Sequence, residues 1–310
     1  MLTVLQTALE VGLIYGLVAL ALFISFSILN IADLSTDGCF TLGCAVGAML
    51  TIAGHPILAL FAAMAAGMLS GYVTAFLQTR LGVESILAGI ISNTGLYTIN
   101  LAVMGFSSNV SITGVDTVFS LFKGLVGGQW SRLILLALIA AVIVIVLIRF
   151  FGTSLGLSIR ATGDSLDMVS ASSINPKATI TIGLCLANAL TALSGCLIGE
   201  YNKFCDINLG TGMVTIALAS LIIGEVFAGR RGSVGKRVVC VVLGSIVYRF
   251  IIALALRLNI SAEYFKLVSA VIVAVAIAAP NMKDYVHLAK IKSNARKLRA
   301  LSGKGDETDA

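Results

Sequence analysis

The sequence predicts an all-α fold, a polytopic bundle of about nine membrane-crossing helices. Three observations predict it. Charged residues make up only 12% of the 310-residue chain and hydrophobic ones 58%, with a mean hydropathy of +1.02. A soluble domain carries about 25% charged residues, because it must cover its surface. The apolar residues come in blocks, such as Val11–Leu29, Leu133–Ile148 and Val238–Leu256, that approach the roughly 20 residues a helix needs to cross a bilayer. The blocks are apolar all round, which argues against the alternation of a barrel strand, and lipid cannot satisfy open backbone groups in any other state.

Taken in order, hydropathy places spans at roughly 8–29, 38–53, 57–79, 84–104, 132–150, 179–199, 211–228, 237–256 and 265–280. Residues 1–280 are then a transmembrane domain interrupted by a polar loop at 151–178, and 281–310 are a basic tail. The span at 38–53 is short and contains glycine, so it either crosses or re-enters as a broken helix. No polar stretch is long enough for a separate soluble core. The first residues lack the basic segment of a cleavable signal, and Glu10 falls where its apolar core would begin.

Basic residues decide the orientation. One set of alternate loops holds Arg80, then Arg149, Arg160 and Lys177, then Arg230, Arg231, Lys236 and Arg237, and the tail adds more from Lys283 onward. The other set holds only Lys123, Arg132, Lys203, Arg257 and Lys266. The expectation is a multi-pass protein of the cell (plasma or inner) membrane, with the N-terminus outside and the C-terminus cytoplasmic. The net charge of +6 therefore reports topology and not a nucleic-acid partner. The six cysteines form no C-x-x-C pair, and neither His55 nor His287 has partners at ligand spacing, so no metal site is expected.

Gly12 and Gly16, Gly43 and Gly47, Gly67 and Gly71, and Gly195 and Gly199 are small-xxx-small pairs, which either bring helices close or reflect the abundance of glycine in membrane helices. Asp33-Leu34-Ser35-Thr36 and Asn208-Leu209-Gly210-Thr211 precede the second and seventh spans on opposite sides, as an inverted repeat would place them.

Polar residues inside the spans are the candidates for a path or gate. Asn93, Tyr97 and Asn100 share one face of the fourth span, and Asn188 and Thr191 one face of the sixth. Asp33, Ser35 and Thr36 sit at the mouth of the second, and Glu225 near the inner end of the seventh. The competing reading is plain interhelical hydrogen bonding, worth about 0.6 kcal/mol per pair. Arg249 either snorkels outward or pairs with a carboxylate such as Glu200.

The loop Phe151–Ala178 carries the strongest functional signal. Asp164 to Ser172 can form a short helix with Leu166, Met168 and Val169 as its apolar members, ended by Asn175-Pro176. Such a helix is either an ordinary connector or a docking element for a partner groove. Gly156-Leu157-Ser158-Ile159-Arg160-Ala161-Thr162-Gly163 fits G-x-x-x-R-A-x-G, and Ala171-Ser172-Ser173-Ile174-Asn175 follows, with Ser173 where glycine is usual. Gly12-Leu13-Ile14-Tyr15-Gly16, Ile31-Ala32-Asp33-Leu34-Ser35 and Gly229-Arg230-Arg231-Gly232-Ser233 flank these motifs in order. Over roughly residues 10–280 the chain resembles the permease subunits of branched-chain amino acid and ribose type ABC importers, and most of all the branch linked with uptake of amino acids, aromatic ones included.

The resemblance implies a non-enzymatic permease. It implies a second permease copy, two ATP-binding cassette subunits that hold the ATP and magnesium, and an extracytoplasmic binding protein that delivers the solute. It implies ATPase-coupling roles for Arg160, Ala161, Gly163, Asp164, Asp167, Met168, Ala171 and Ile174. The chain itself lacks a phosphate-binding loop: Gly229 to Gly235-Lys236-Arg237 has the wrong spacing and no hydroxyl after the lysine. An ion-driven secondary transporter, or a permease for sugars or nucleosides, remains the alternative.

Overall fold

A computed structural model describes residues 2–128, 130–229 and 232–257, together with 267, 270, 271 and 274. Apart from those four positions, the expected ninth span at 265–280 and the tail at 281–310 lie outside the described residues, as do Arg230 and Arg231.

The chain opens with α1 (Leu2–Leu22), which continues as a π-helical segment, Phe23–Ile28. There follow α2 (Thr36–Ile52), α3 (Pro56–Thr79), α4 (Ser85–Val103), β1 (Asn109–Ser111), α5 (Val118–Val126) and α6 (Ser131–Phe151). Then come α7 (Ser154–Asp164), α8 (Leu166–Ala171), α9 (Pro176–Asn202), β2 (Phe204–Asp206), α10 (Met213–Ala228) and α11 (Val234–Arg257). The first eight expected spans are all helices. Six are long and apolar enough to cross a membrane; α2 and α10 are shorter, at 17 and 16 residues, or about 25 Å each.

Two features of the 151–178 loop differ from the sequence expectation. The 151–178 loop holds two helices, not one. Asn175-Pro176 does not end a helix but starts α9: the Asn175 side chain accepts the Lys177 N–H at 3.0 Å, and Pro176 takes the first helical position, where its missing N–H costs nothing. The polar stretch between α4 and α6 is also ordered. Thr117 and Ser120 cap α5 reciprocally, and β1 pairs antiparallel with β2, tying the loop after α4 to the loop after α9 on one face of the bundle.

The bundle is built from an inverted repeat. α1 packs along α11 as α9 packs along α3; α2 packs on α3 as α10 does on α11; and α2 meets α9 as α10 meets α1. Exchanging α1–α2–α3 for α9–α10–α11 maps this pattern onto itself. α1 and α9 run antiparallel, because Glu10 accepts from Tyr201 at 2.9 Å, the Ile14 carbonyl from Ser194 at 2.7 Å, and Leu29 packs on Gly183. The two related tetrapeptides lie at or just before the starts of α2 and α10; they are not on opposite sides as expected but at one level, since the Gly210 N–H donates to Thr41. Close approach of α2 and α9 depends on glycine: a Cβ at Gly43 would overlap the Ala192 carbonyl, and one at Gly195 the Phe40 carbonyl.

The core runs along α1 and α9, with Leu17, Leu20, Phe23, Phe40, Leu184 and Leu197 fully enclosed. By contrast α6 turns Ile134, Leu138, Val142, Ile145 and Val146 outward, an all-apolar face suited to lipid.

Candidate translocation junction and coupling module

The segment between the π-helical turn and α2 is irregular yet largely buried. Backbone of this kind is tolerated at membrane depth only where protein wraps it. Here Asp33 organises it. One carboxylate oxygen accepts the Ser35 N–H at 2.9 Å and the Ser35 hydroxyl at 2.6 Å; the other accepts the Asn188 amide at 2.9 Å. The Thr36 hydroxyl returns to the Asp33 carbonyl at 3.1 Å. Asn188 lies near the middle of the 27-residue α9, so this carboxylate sits at mid-depth. The mouth of the second span is inside the bundle and not at its surface, because α2 begins there.

α10 begins at the same level. The two carboxylate oxygens of Asp37, in the first turn of α2, accept the backbone N–H groups of Gly212 and Val214, each at 2.9 Å, and the Gly210 N–H reaches Thr41 at 3.1 Å. Two short helices thus meet with their N-termini together. Each end carries positive partial charge and unpaired N–H groups, and Asp37 answers those of α10.

α4 closes this junction. Asn100 donates to the Gly38 carbonyl at 3.0 Å, and Asn93 lies against Gly38. Leu96, and not Tyr97, continues that buried face; Tyr97 is exposed with Thr94 and Thr98. The carbonyl oxygens of the Asn100 and Asn188 side chains are buried and have no hydrogen-bond partner among the described residues. Asp33, Ser35, Thr36, Asn93, Asn100 and Asn188 therefore converge on the start of α2.

Glu225 stands apart from them. It accepts from Arg237 at 2.5 Å and from the Ser27 hydroxyl, while Arg237 also donates to Ser27 at 2.6 Å and lies 5.0 Å above the Phe23 ring. This triad sits where the π-helical segment, the end of α10 and the start of α11 meet.

On the opposite face lie charged contacts that sequence reasoning missed. Buried Glu200 accepts the Val118 N–H at 2.8 Å and the Thr51 hydroxyl at 3.0 Å, so it joins α9, α2 and α5. Arg132 lies 5.8 Å from the ring of Tyr201. Arg249 does not pair with Glu200; its guanidinium stacks 3.8 Å over Tyr15. A carboxylate at the end of an apolar block was the available signal for Glu200, but its partners are 82 and 149 residues away.

The α7–α8 module completes the picture. Ser165 ends α7 and caps α8, accepting the Met168 N–H at 3.4 Å. Thr162 and Thr179 join hydroxyl to hydroxyl at 2.8 Å, fixing α7 to α9. Arg160, Ala161 and Ile174 are half-buried, whereas Asp164, Asp167, Met168 and Ala171 are exposed. Leu166 and Met168 are 53% and 58% exposed, while Val169 is buried at 1%. Gly163 is not on the outer surface of the module. It is wedged against the Ile28 carbonyl and Leu29, at the end of the π-helical segment.

Residues 4–277 match the family described as the permease component of the branched-chain amino acid transport system. A tyrosine transport system permease protein of Clostridioides difficile (strain R20291) is 31% identical over 294 residues, covering 94% of this chain and 95% of that relative. An uncharacterised protein of Rickettsia prowazekii (strain Madrid E) is 30% identical over 284 residues, covering 91% and 99%. No solved structure matches the chain significantly. With nearly its whole length matched and a multi-pass helical bundle to house it, the chain belongs to the branched-chain amino acid transport permease family.

Proposed function

We propose that this chain is the permease subunit of an ATP-driven importer for a small solute, an amino acid, with aromatic amino acids the first candidates. The observation that carries the reading is the α7–α8 module: a short capped helix outside the bundle, presenting apolar Leu166 and Met168 beside the exposed Asp164 and Asp167. Apolar side chains displayed on a short helix suit insertion into a groove on a soluble partner. The family match and the tyrosine permease relative support the solute class.

In this reading two copies of the chain enclose the path. α4 is compatible with that arrangement, since its exposed surface mixes Thr94, Tyr97 and Thr98 with apolar Ile90, Ile91 and Ile99. Each copy docks α7–α8 on one cytoplasmic ATPase subunit, which holds ATP and magnesium. An extracytoplasmic binding protein delivers solute to the face carrying β1, β2 and α5. The N-terminus is then outside and the C-terminus in the cytoplasm, in agreement with the basic residues near α7–α8. Arg160, Ala161, Gly163, Asp164, Asp167, Met168, Ala171 and Ile174 form or support the docking element. Asp33, Ser35, Thr36, Asn93, Asn100 and Asn188 form the mid-depth gate, and Glu225 acts at its cytoplasmic end.

The test is purification from the native membrane in mild detergent, followed by uptake in vesicles. A stoichiometric ATPase, and tyrosine or tryptophan uptake that requires ATP and a binding protein, is the expected result. Uptake driven by an ion gradient with no ATPase bound would replace this reading with a secondary carrier.

A further inference from the structure

The π-helical segment Phe23–Ile28 is touched at several points by two separate parts of the molecule. The coupling module holds it from one side. Gly163, at the end of α7, fits against the Ile28 carbonyl and Leu29, and Phe151, just before α7, meets Phe23 edge-on with ring centroids 6.4 Å apart. The α10–α11 hairpin holds it from the other. Arg237 covers Phe23 at 5.0 Å and donates to Ser27 at 2.6 Å, and Ser27 in turn donates to Glu225. From Glu225 the rigid α10 leads back to its N-terminus, where Asp37 joins it to α2.

We infer that Ser27, Glu225 and Arg237 are positioning residues for transport, which make the π-helical segment the relay between the α7–α8 module and the mid-depth junction of α2 and α10. The physical basis is that a π turn and an α turn are two discrete hydrogen-bond registers of the same residues. Leu29 donates to Ile24, five residues back, at 3.0 Å. Conversion to α would turn Ser27 by roughly one residue about the axis, about 100°, and withdraw it from Glu225 and Arg237. A push on Ile28 through Gly163 would therefore release the cytoplasmic end of α10. Each side biases the same two-state element, which is what energetic coupling between separate sites requires. Neither Glu225 nor Arg237 touches the mid-depth junction itself, so their effect on solute is indirect.

The inference rests on the importer reading for its consequence but not for its geometry, so the experiment has two arms. In the first, hydrogen exchange is measured on the full purified chain in detergent, wild type against Glu225→Gln and Ser27→Ala. Exchange at residues 24–29 and also at 159–164 should rise, by about tenfold or more, with β1, β2 and α5 unchanged. Faster exchange confined to 225–237, with 159–164 unaltered, would overturn the relay whatever partner the protein has. In the second arm, the complete ATPase-bound complex is reconstituted with its binding protein. Both variants should assemble and hydrolyse ATP near the wild-type rate, while solute moved per ATP falls at least about fivefold, at the lower end of typical coupling factors. Arg237→Ala should lower the same ratio, and Arg237→Lys, which keeps the charge, should retain more of it than Arg237→Ala. Unchanged solute per ATP, or parallel loss of assembly, hydrolysis and uptake, would reduce the triad to a structural clamp. Absence of any bound ATPase would sink the importer reading and leave the exchange arm to decide this one.

Discussion

Asp37 on α2 accepts the backbone N–H of Val214 on α10 at 2.9 Å, although 177 residues separate them in sequence. This bond, with its companion from Gly212, sets the N-termini of two short helices against each other at mid-depth. An inverted repeat provides the symmetry, and Asp37 supplies the negative charge that two facing helix N-termini call for. Other polar candidates lie around this contact: Asp33 and Asn188 on one side, Asn93 and Asn100 on the other.

Replacing Asp37 should therefore loosen the bundle. Asp37→Ala removes the acceptor for two backbone donors and should destabilise the protein by about 2 kcal/mol, as loss of a helix cap with charge-assisted bonds does. Asp37→Asn keeps one acceptor oxygen and should lose about half as much. Reversible unfolding in mixed micelles would report both. Equal stability of wild type and Asp37→Ala would mean that the junction is not held by this carboxylate.

The α2–α9 seam gives a sharper contrast. Gly43 faces the Ala192 carbonyl with no room for a methyl group, whereas Gly95 on α4 has open space around its Cα. Gly43→Ala should destabilise by about 1–3 kcal/mol through overpacking against backbone that cannot move aside. Gly95→Ala should be neutral or slightly stabilising, since alanine is the better helix former. The same unfolding assay compares them, and similar losses at both sites would contradict the close approach of α2 and α9.

Within the α7–α8 module, exposed and buried neighbours should separate two kinds of effect. Leu166→Glu with Met168→Glu should abolish co-purification of an ATPase and leave the unfolding midpoint of the isolated chain unchanged. Val169→Ala should lower stability by about 1–2 kcal/mol, because Val169 is buried at the root of α8. If the double glutamate variant still holds its ATPase at wild-type stoichiometry, docking takes place elsewhere.

The spans were legible because hydropathy and length are local properties: α3, α4 and α6 begin and end within about a residue of their expected bounds. The caps of α7 and α8 were less so. Thr153 and Ser165 are common polar residues in a polar loop, and nothing marked them as helix starts until their side chains were seen to accept from Gly156 and Met168. The depth of Asp33 was hidden for a different reason. Hydropathy locates a carboxylate at the edge of an apolar block, but only tertiary packing decides whether that edge faces water or the middle of a neighbouring helix such as α9 at Asn188. Tyr97 shows the converse: helical spacing put it with Asn93 and Asn100, while packing left it on the open side of α4. Glu225 was found by sequence, but its role was not, because Ser27 lies 198 residues away.

Glu200 offers a test on the opposite face. Its carboxylate fastens the first turn of α5 to α9 through the Val118 N–H and to α2 through the Thr51 hydroxyl. Thr117 and Ser120 cap α5 internally, so the helix itself should survive loss of this anchor. Glu200→Ala should leave the Val118 N–H and the Thr51 hydroxyl without their acceptor and free α5 from its anchor. Amide exchange at residues 118–121 should rise at least about tenfold, equivalent to about 1.4 kcal/mol of local stability, while exchange in α7 and α8 stays as it was. Glu200→Gln retains one oxygen acceptor and should lie between wild type and alanine. Hydrogen exchange on the three proteins decides the matter: a uniform rise over the whole chain would make Glu200 a general support of the fold, and a rise limited to α5 would identify it as the anchor of that helix.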